Sequence, residues 1–446
     1  MAVTVSLALF LVTTFVLSTH GIIYTQPEQV HLALGDGPTE MVATWVTDSS
    51  TKVSIVEFGL NNLTQVAKGI EEKFVDGGSQ KRVLYMHRVK MTGLKPGSQY
   101  KYHVGSSLGW SDLYTFKAIK NGTDWPVRLA LFGDMGNENA QSLARLQEET
   151  QQGHFDAVFH VGDFAYNMDT DNAAVGDAFM NQVQSVAAYV PYMTCVGNHE
   201  NAYNFSNYKS RFTMPGGDGN GMFFSFNLGP AHVVSFSSEY YYYTNYGWKQ
   251  IANQYKWVEN DLKEANKPEN RAKRPWIISM CHRPMYCSNS NDPEHCTNKE
   301  NTIRVGLPDI HAYGMEELLY RYGVDLHFTA HEHSYERVWP TYNLVVCNGT
   351  KSKNPYDNPG APVNIVTGSA GCHEGVDPFE PVGFPWTAYH SDDYGYTRMT
   401  IKNTTHLFLE QVSDDQKGKV IDTMTLVRDK HYAGMYDCHL KQKKKN

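Results

Sequence analysis

Five short segments place metal-ligating residue types directly after an apolar run of β-forming residues. They lie at 133–136 (GDMG), 162–166 (GDFAY), 197–200 (GNHE), 281–284 (CHRP) and 330–333 (AHEH). Ligands of open α/β sheets bind at the carboxyl ends of the strands, so we expect these segments to meet at one edge. Asp, Asn, Tyr and His side chains from five strand ends are more than a single metal ion needs. They fit two ions that share a bridging carboxylate.

Two patterns of secondary structure divide the chain around these segments. Residues 22–120 contain short runs of period-two alternation between Gly, Asn and Pro turns, which predicts an all-β sandwich. Residues 121–446 alternate strands with helices, which indicates an α/β layered domain. The helices are predicted at 141–150, 177–188, 249–265 and 315–322, and late strands at 396–402 and 406–412.

In their order along the chain, the five segments resemble the metallophosphoesterase signature. Tyr166, three residues after Asp163, narrows the resemblance to the purple acid phosphatases. The resemblance covers nearly the whole chain and implies a fibronectin III-like β-sandwich followed by an αββα sandwich metallophosphoesterase domain. It implies that the C-terminal region, about 346–446, completes the second sheet. The implied activity is that of a binuclear-metal acid phosphatase that hydrolyses phosphate monoesters by direct attack of a metal-bound hydroxide.

The resemblance also assigns roles to single residues. One implied ion is Fe(III), and the other is a divalent ion, Zn, Fe or Mn. The implied ligands are Asp134, Tyr166 and His333 for Fe(III), Asn198, His282 and His331 for the divalent ion, and Asp163 as the bridge. The chemistry agrees, because hard Fe(III) prefers carboxylate and phenolate oxygen, whereas imidazole and amide ligands suit a divalent ion.

The residue after Asn198, His199, resembles the histidine that binds phosphate oxygens or protonates the leaving group. A structural histidine is the alternative, and Glu200 is expected to orient it. Asn291 and Asp292 stand where plant members have a phosphate-contacting histidine pair. The candidates for further substrate contacts are therefore Arg283, His295 and His373.

The N-terminus and the charge indicate where the protein works. An apolar run over 3–17 followed by small residues predicts a signal peptide over 1–20, with a retained anchor as the alternative. No other apolar stretch reaches the roughly 20 residues of a membrane span. The net charge of −8 lacks the excess positive charge that is typical of nucleic-acid-binding proteins. The basic run at 441–445 fits a solvated terminus. We expect a secreted or endo-lysosomal protein whose partner is a small phosphorylated substrate.

In a secreted protein, glycosylation sequons are candidate glycan sites and cysteines are candidates for disulfides. Five Asn-x-Ser/Thr sequons are plausible glycan sites, at Asn62, Asn121, Asn204, Asn348 and Asn403. Seven cysteines leave at least one unpaired. Cys195 and Cys281 lie in apolar strands and are predicted to be buried thiols. Cys287 and Cys296 are close in sequence, so a disulfide between them is the easiest local pair to close. The remaining connectivity stays open.

Other functions remain possible on these residues. The same scaffold could act as a phosphodiesterase or a pyrophosphatase, and p-nitrophenyl phosphate against the bis ester separates these activities. A rival from another class is an inactive metal-binding or adhesion protein that uses the β-sandwich.

Overall fold

The computed structural model describes residues 24–292, 296 and 298–438. The predicted signal peptide at 1–20, the basic run at 441–445 and the substrate candidate His295 lie outside the described residues. Within the described ranges, no helix combines the length and the apolar character that a membrane span requires.

Eight strands build the N-terminal part. They are β1 (Glu28–Leu34), β2 (Met41–Thr47), β3 (Ser54–Gly59), β4 (Gln65–Val75), β5 (Val83–Met91), β6 (Gln99–Ser106), β7 (Gly109–Trp110) and β8 (Tyr114–Lys117). The first half of β4 pairs with β3 and its second half with β5. The sheet therefore folds over into two layers, which enclose a core that includes Trp45, Tyr100 and Phe116.

From Val127 onwards the chain mixes strands and helices. The strands are β9 (Val127–Phe132), β10 (Ala157–Val161), β11 (Tyr192–Cys195), β12 (Phe224–Leu228), β13 (Ala231–Ser235), β14 (Trp276–Met280), β15 (Gly306–Leu307), β16 (Ala312–Tyr313), β17 (Leu326–Thr329), β18 (Tyr335–Val338), β19 (Thr341–Tyr342), β20 (Val345–Val346), β21 (Val363–Thr367), β22 (Thr387–Ser391), β23 (Gly395–Ile401), β24 (His406–Ser413) and β25 (Lys419–Val427). The α-helices are α1 (Leu143–Gln151), α2 (Ala174–Ala187), α3 (Ala202–Arg211), α4 (Lys249–Ala265), α5 (Pro268–Arg271), α6 (Thr302–Val305) and α7 (Met315–Arg321).

Two large sheets hold the strand ends that carry the five segments. One sheet has the order β11-β10-β9-β23-β24-β25 and the other β12-β13-β14-β17-β21-β18-β22. The strands β9, β10 and β11 are parallel, as are β13, β14, β17 and β21. Parallel strands are covered on both faces, which explains their nearly continuous apolar runs. The amide of Gly133, after β9, donates to the carbonyl of Thr367 at the end of β21, so the carboxyl ends of the two sheets meet.

The fold class expected from the sequence, a β-sandwich followed by an α/β layered domain, is confirmed. Helix α4 has the predicted bounds, whereas α2 begins at Ala174, three residues earlier than predicted. The C-terminal region was expected to complete the second sheet, and it contributes strands to both sheets. Strands β21 and β22 join the seven-stranded sheet, but β23, β24 and β25 join the other one, where β23 pairs with the edge of β9 that β10 leaves open.

The cysteines fall into bonded and free groups. Cys287 pairs with Cys296, as the sequence favoured, and Cys347 pairs with Cys438. Cys195 and Cys281 are buried free thiols, as predicted, and Cys372 is a third. Four of the sequon asparagines are exposed and Asn348 is half-buried, and their glycosylation stays a prediction.

A buried ion pair lies where the β-sandwich meets the α/β part. The Arg211 side chain is fully buried, and its Nη1 lies 2.8 Å from Oδ1 of Asp177. The same carboxylate also pairs with Arg82 and accepts a hydrogen bond from Gln29, both of which belong to the sandwich. Burial alone raises the pKa of Asp177, but Arg211 and then Arg82 outweigh it and hold this pKa below its ordinary value.

We expect Asp177→Asn to lower the free energy of unfolding by about 3–5 kcal/mol at pH 6, because it leaves a buried guanidinium unpaired. The folded pKa of Asp177 lies below the unfolded one, so its stabilisation is complete above about pH 4 and is lost as the pH falls through the folded value. Denaturant unfolding of both proteins at pH 6 and pH 3 checks this. Asp36→Asn, which breaks an exposed pair with Lys90, is the control and should cost about 1 kcal/mol or less.

Candidate metal centre

The predicted ligands are placed by tight turns directly after the strands. Four of them adopt the left-handed backbone region although they carry side chains, with φ of +56° at Asp134, +52° at Asp163, +50° at Tyr166 and +72° at His331. Such conformations cost about 1–3 kcal/mol each and persist where the surrounding structure enforces them, often at functional sites. Each turn redirects the backbone so that the side chain of the ligand points towards the edge where the two sheets meet.

Three of these side chains form what we call the tyrosine group: Asp134, Tyr166 and His333. The Tyr166 hydroxyl lies 2.9 Å from Nε2 of His333 and 3.2 Å from Oδ1 of Asp134. Nδ1 of His333 donates to the carbonyl of Gly375 at 3.0 Å, which directs Nε2 towards the tyrosine. A carboxylate, a phenol oxygen and an imidazole nitrogen therefore converge on one point.

The asparagine group consists of Asn198, His282 and His331. Nε2 of His282 lies 3.0 Å from Oδ1 of Asn198 and 3.2 Å from Nδ1 of His331. Nδ1 of His282 donates to the carbonyl of Val161 at 2.9 Å, so its other nitrogen faces the group. Asp163 adjoins this group, with Oδ2 3.1 Å from Nε2 of His282. The structure thus brings all seven predicted ligands together.

Two glycines are required for this close approach. A Cβ on Gly197 would lie 2.2 Å from Oδ1 of Asp163. A Cβ on Gly162, which has φ of +85°, would lie 2.4 Å from Nδ1 of His282. Any larger residue at either position would push the aspartate or the histidine out of the centre.

The electrostatics of the cluster favour bound cations. Asp134 and Asp163 are almost completely buried in the same cluster, and burial is the main cause that raises the pKa of Asp134. Burial lowers the pKa of His282, but the attraction of Asp163 and then Asp134 outweighs it and raises this pKa to about 10. The cluster therefore draws positive charge strongly enough to hold a proton on a buried imidazole. Its oxygen and imidazole donors suit first-row transition-metal ions, so the residues fit a pair of such ions.

His199 lies beside the cluster with one nitrogen available. Its backbone N–H donates to Oδ1 of Asp163 at 2.9 Å, and its Nδ1 lies 2.8 Å from Oδ1 of Asn167. Its Nε2 is 3.9 Å from Asp163 and 3.8 Å from the partly exposed carboxylate of Glu374. The imidazole is thus fixed on one side, and its Nε2 faces Asp163 and the exposed carboxylate of Glu374.

Glu200 does not orient His199, contrary to the expectation. Its buried carboxylate accepts hydrogen bonds from the backbone amides of Asp163, Phe164 and Gly197, at 2.9–3.0 Å. It ties the turn after β10 to the turn after β11. The residue that contacts the His199 ring is Asn167, four residues after Asp163.

The described substrate candidates differ in their surroundings. The His373 ring lies 5.7 Å from the Tyr166 ring, between centroids, and so borders the centre. The Arg283 guanidinium is paired with Glu239, with Nε 3.0 Å from Oε2, and its Nη1 lies 3.1 Å from Nε2 of His331. The charge of Arg283 is therefore already balanced by a buried carboxylate, and its guanidinium lies against the ring of His331.

Sequence reasoning missed several contacts at the centre. Oδ2 of Asp292 lies 3.2 Å from Nε2 of His331, in the place of the carboxylate that commonly holds a metal-ligating histidine. The departure at 291–292 from the plant pattern was a signal for it. Cys372 and Glu374 flank His373 in sequence, but nothing in the sequence indicated that their side chains reach His333 and His199.

Comparison with known families gives three matches along the chain. Residues 127–335 match the Calcineurin-like phosphoesterase family. This range contains all seven proposed metal ligands. Residues 27–118 match the Purple acid Phosphatase, N-terminal domain, and residues 361–423 match the Iron/zinc purple acid phosphatase-like protein C.

Similar proteins cover nearly the full chain. Acid phosphatase type 7 of Danio rerio is 54% identical over 413 residues, which cover 91% of this chain and 92% of that protein. Acid phosphatase type 7 of Homo sapiens is 53% identical over 413 residues, covering 92% and 93%. The structure of purple acid phosphatase PPD1 from yellow lupin (Lupinus luteus) seeds aligns with a TM-score of 0.74 and 23% identity, over 91% of this chain and 75% of that one. At that identity the likeness concerns the fold alone.

Proposed function

Because this chain belongs to the purple acid phosphatase family, we propose that it is an acid phosphatase that hydrolyses small phosphate monoesters at a centre of two metal ions. The observation that carries the proposal is the convergence of seven oxygen and nitrogen donors where the two sheets meet, with the Tyr166 hydroxyl 2.9 Å from His333 and 3.2 Å from Asp134. A generic phosphoesterase centre does not need a phenol among its donors.

Each group of side chains has a defined part in this proposal. The tyrosine group would hold Fe(III), the asparagine group would hold Zn, Fe or Mn in the divalent state, and Asp163 would bridge them. Two such ions, when bound, clamp the phosphoryl oxygens as Lewis acids and generate a nucleophile from water. The buried carboxylate of Glu200 fixes the turns that present Asp163 and Asn198.

His199 is proposed to protonate the leaving group. Asn167 and the backbone hydrogen bond to Asp163 fix the imidazole, and Nε2 faces Asp163 and the exposed carboxylate of Glu374. His373 is exposed and borders the centre, and it is proposed to contact substrate. Arg283 contributes through His331 in this proposal, because Glu239 balances its charge.

The location proposed for the protein is extracellular or endo-lysosomal. The two disulfides, Cys287–Cys296 and Cys347–Cys438, support it, because such bonds persist in oxidising compartments. Mass spectrometry of the secreted chain would give the mature N-terminus, predicted near residue 21, and glycan occupancy at the five sequons.

The test is metal analysis of the purified protein together with two substrates. We expect two metal ions per chain and hydrolysis of p-nitrophenyl phosphate in preference to bis(p-nitrophenyl) phosphate. Preference for the bis ester would replace the monoesterase proposal by a phosphodiesterase. A fully metal-loaded protein without hydrolysis of either ester would favour the inactive binding protein.

We expect Tyr166→Phe to abolish the visible absorption of the oxidised protein while some activity remains. The colour would come from phenolate-to-Fe(III) charge transfer, and the phenolate is a ligand rather than the nucleophile. The visible spectrum, the iron content and kcat are measured together. Tyr243→Phe is the matched control, because that hydroxyl donates to the carbonyl of Asn198 but lies outside the ligand set. A colourless, iron-free and fully active wild-type protein would contradict the ferric assignment.

A further inference from the structure

Glu374 is a carboxylate beside His199 to which the proposed reaction gives no role. Its Oε1 lies 3.8 Å from Nε2 of His199, and 44% of its side chain is exposed. Among the described residues, His199 is its only partner in an ion pair, so no described lysine or arginine neutralises it. Arg283, by contrast, already has its own buried partner in Glu239. The carboxylate of Glu374 is therefore available to a charged group of a bound molecule.

The backbone on both sides of Glu374 is fixed to the metal centre. The N–H of Cys372 donates to the carbonyl of Met135 at 2.7 Å, in the turn after β9. The carbonyl of Gly375 accepts a hydrogen bond from Nδ1 of His333 at 3.0 Å. The carboxylate is therefore held at a defined place at the edge of the centre, on a segment that is anchored before and after it.

The position of Glu374 relates it to the leaving group of the proposed reaction. A general acid lies within hydrogen-bond distance of the atom that it protonates, so the ester oxygen would lie close to Nε2 of His199. The Glu374 carboxylate is 3.8 Å from the same nitrogen. An ammonium group two carbon atoms beyond the ester oxygen spans a comparable distance and can pair with this carboxylate. A second anionic group at the same place would be repelled.

We propose that Glu374 determines the substrate class of the centre by selecting phosphate monoesters of amino alcohols, in which the positive charge lies two carbon atoms from the ester oxygen. The inference rests on the proposed function, because that function places the leaving group at His199. Glu374 is not among the seven proposed ligands, so its role concerns the alcohol part of the substrate rather than the metal ions.

The experiment compares phosphocholine with 3,3-dimethylbutyl phosphate, a neutral ester of the same shape. The ratio of kcat/KM for the two esters is measured with the metal-loaded wild-type protein, Glu374→Gln and Glu374→Lys. The difference in leaving ability between the two alcohols cancels, because every protein receives the same pair of esters. Glu148→Gln is the matched control, since Glu148 is exposed on α1 and the variant loses the same charge. Metal content is measured on each preparation.

We expect the ratio to fall about 5-fold in Glu374→Gln, as for an ion pair at a partly exposed site, and further in Glu374→Lys. Glu148→Gln should keep the wild-type ratio. An unchanged ratio in Glu374→Gln would overturn the inference while the monoesterase proposal stands. Equal losses for both esters would also overturn it, since Glu374 would then only position His199. A metal-loaded wild-type protein that hydrolyses neither these esters nor p-nitrophenyl phosphate would refute the proposed function and the inference with it.

The wild-type protein provides a second measurement that does not depend on a variant folding. Phosphonates that carry CH2 in place of the ester oxygen cannot be hydrolysed, so their inhibition constants report binding alone. A trimethylammonium phosphonate with the spacing of phosphocholine should bind more tightly than its neutral counterpart. With a spacer of six carbon atoms, this advantage should largely disappear. An equal advantage at both spacings would overturn the inference, since the net charge of −8 would then explain it.

Discussion

Asp163→Asn is expected to abolish phosphatase activity and to lower the metal content of both sites together. Asp163 is the proposed bridge, its side chain is 1% exposed, and its Oδ2 lies 3.1 Å from Nε2 of His282. An amide in its place removes a negative charge between two cations and leaves one oxygen that can bind. Loss of groups that merely support a metal ligand already costs about 10–100-fold. We therefore expect kcat/KM to fall by at least about 100-fold.

Metal analysis and kinetics on the same preparation decide this prediction. Asp171→Asn is the control, because Asp171 is exposed and lies in the same connection between β10 and α2. The control should keep both ions and normal turnover. An Asp163→Asn protein with two ions and normal turnover would refute the bridge. Loss of one ion alone would assign Asp163 to a single site.

The parallel strands were predictable because burial on both faces gives them nearly continuous apolar runs in the sequence. β14 (Trp276–Met280) and β17 (Leu326–Thr329) have the bounds that their apolar runs indicate. The pairing of β23 with β9 was not predictable, since these strands lie far apart in sequence and antiparallel register depends on the packing of the whole sheet. The start of α2 was also missed, because its N-cap residue, Ala173, has left-handed backbone geometry and no capping side chain marks the first turn.

The site divides in the same way between local and long-range information. Residues that follow a strand within two to five positions, such as Asp134 and Tyr166, were found because the strand end fixes their place. Other contacts were missed: Glu239 on Arg283, Asp292 on His331 and Cys372 on His333. Glu239 and Cys372 also follow strands, at four and five positions, but no motif of metal-ligating residues marks them in the sequence. Each depends on how a loop folds back over the centre, for which period and composition carry no signal. The assignment of Glu200 to His199 was wrong because its carboxylate is consumed by three backbone amides.

His199→Ala is expected to lower kcat by about 10²–10⁴-fold, the usual contribution of a positioned general acid. The metal content should stay at the wild-type value, because the imidazole is not among the seven proposed ligands. The backbone N–H of residue 199, which donates to Asp163, is retained in the variant. Metal analysis and steady-state kinetics of the same preparation separate this outcome from unfolding, in which metal and activity would be lost together.

Substrates with different leaving groups test the role of His199 further. p-Nitrophenolate leaves readily without a proton, whereas an alkoxide needs one. The loss of kcat in His199→Ala should therefore be much smaller for p-nitrophenyl phosphate than for an alkyl phosphate. His154→Ala, which removes an exposed imidazole after α1, should affect neither substrate. Equal losses for both substrates would mean that His199 binds the phosphoryl oxygens rather than protonating the leaving group, since a contact to the phosphoryl group is the same in both esters.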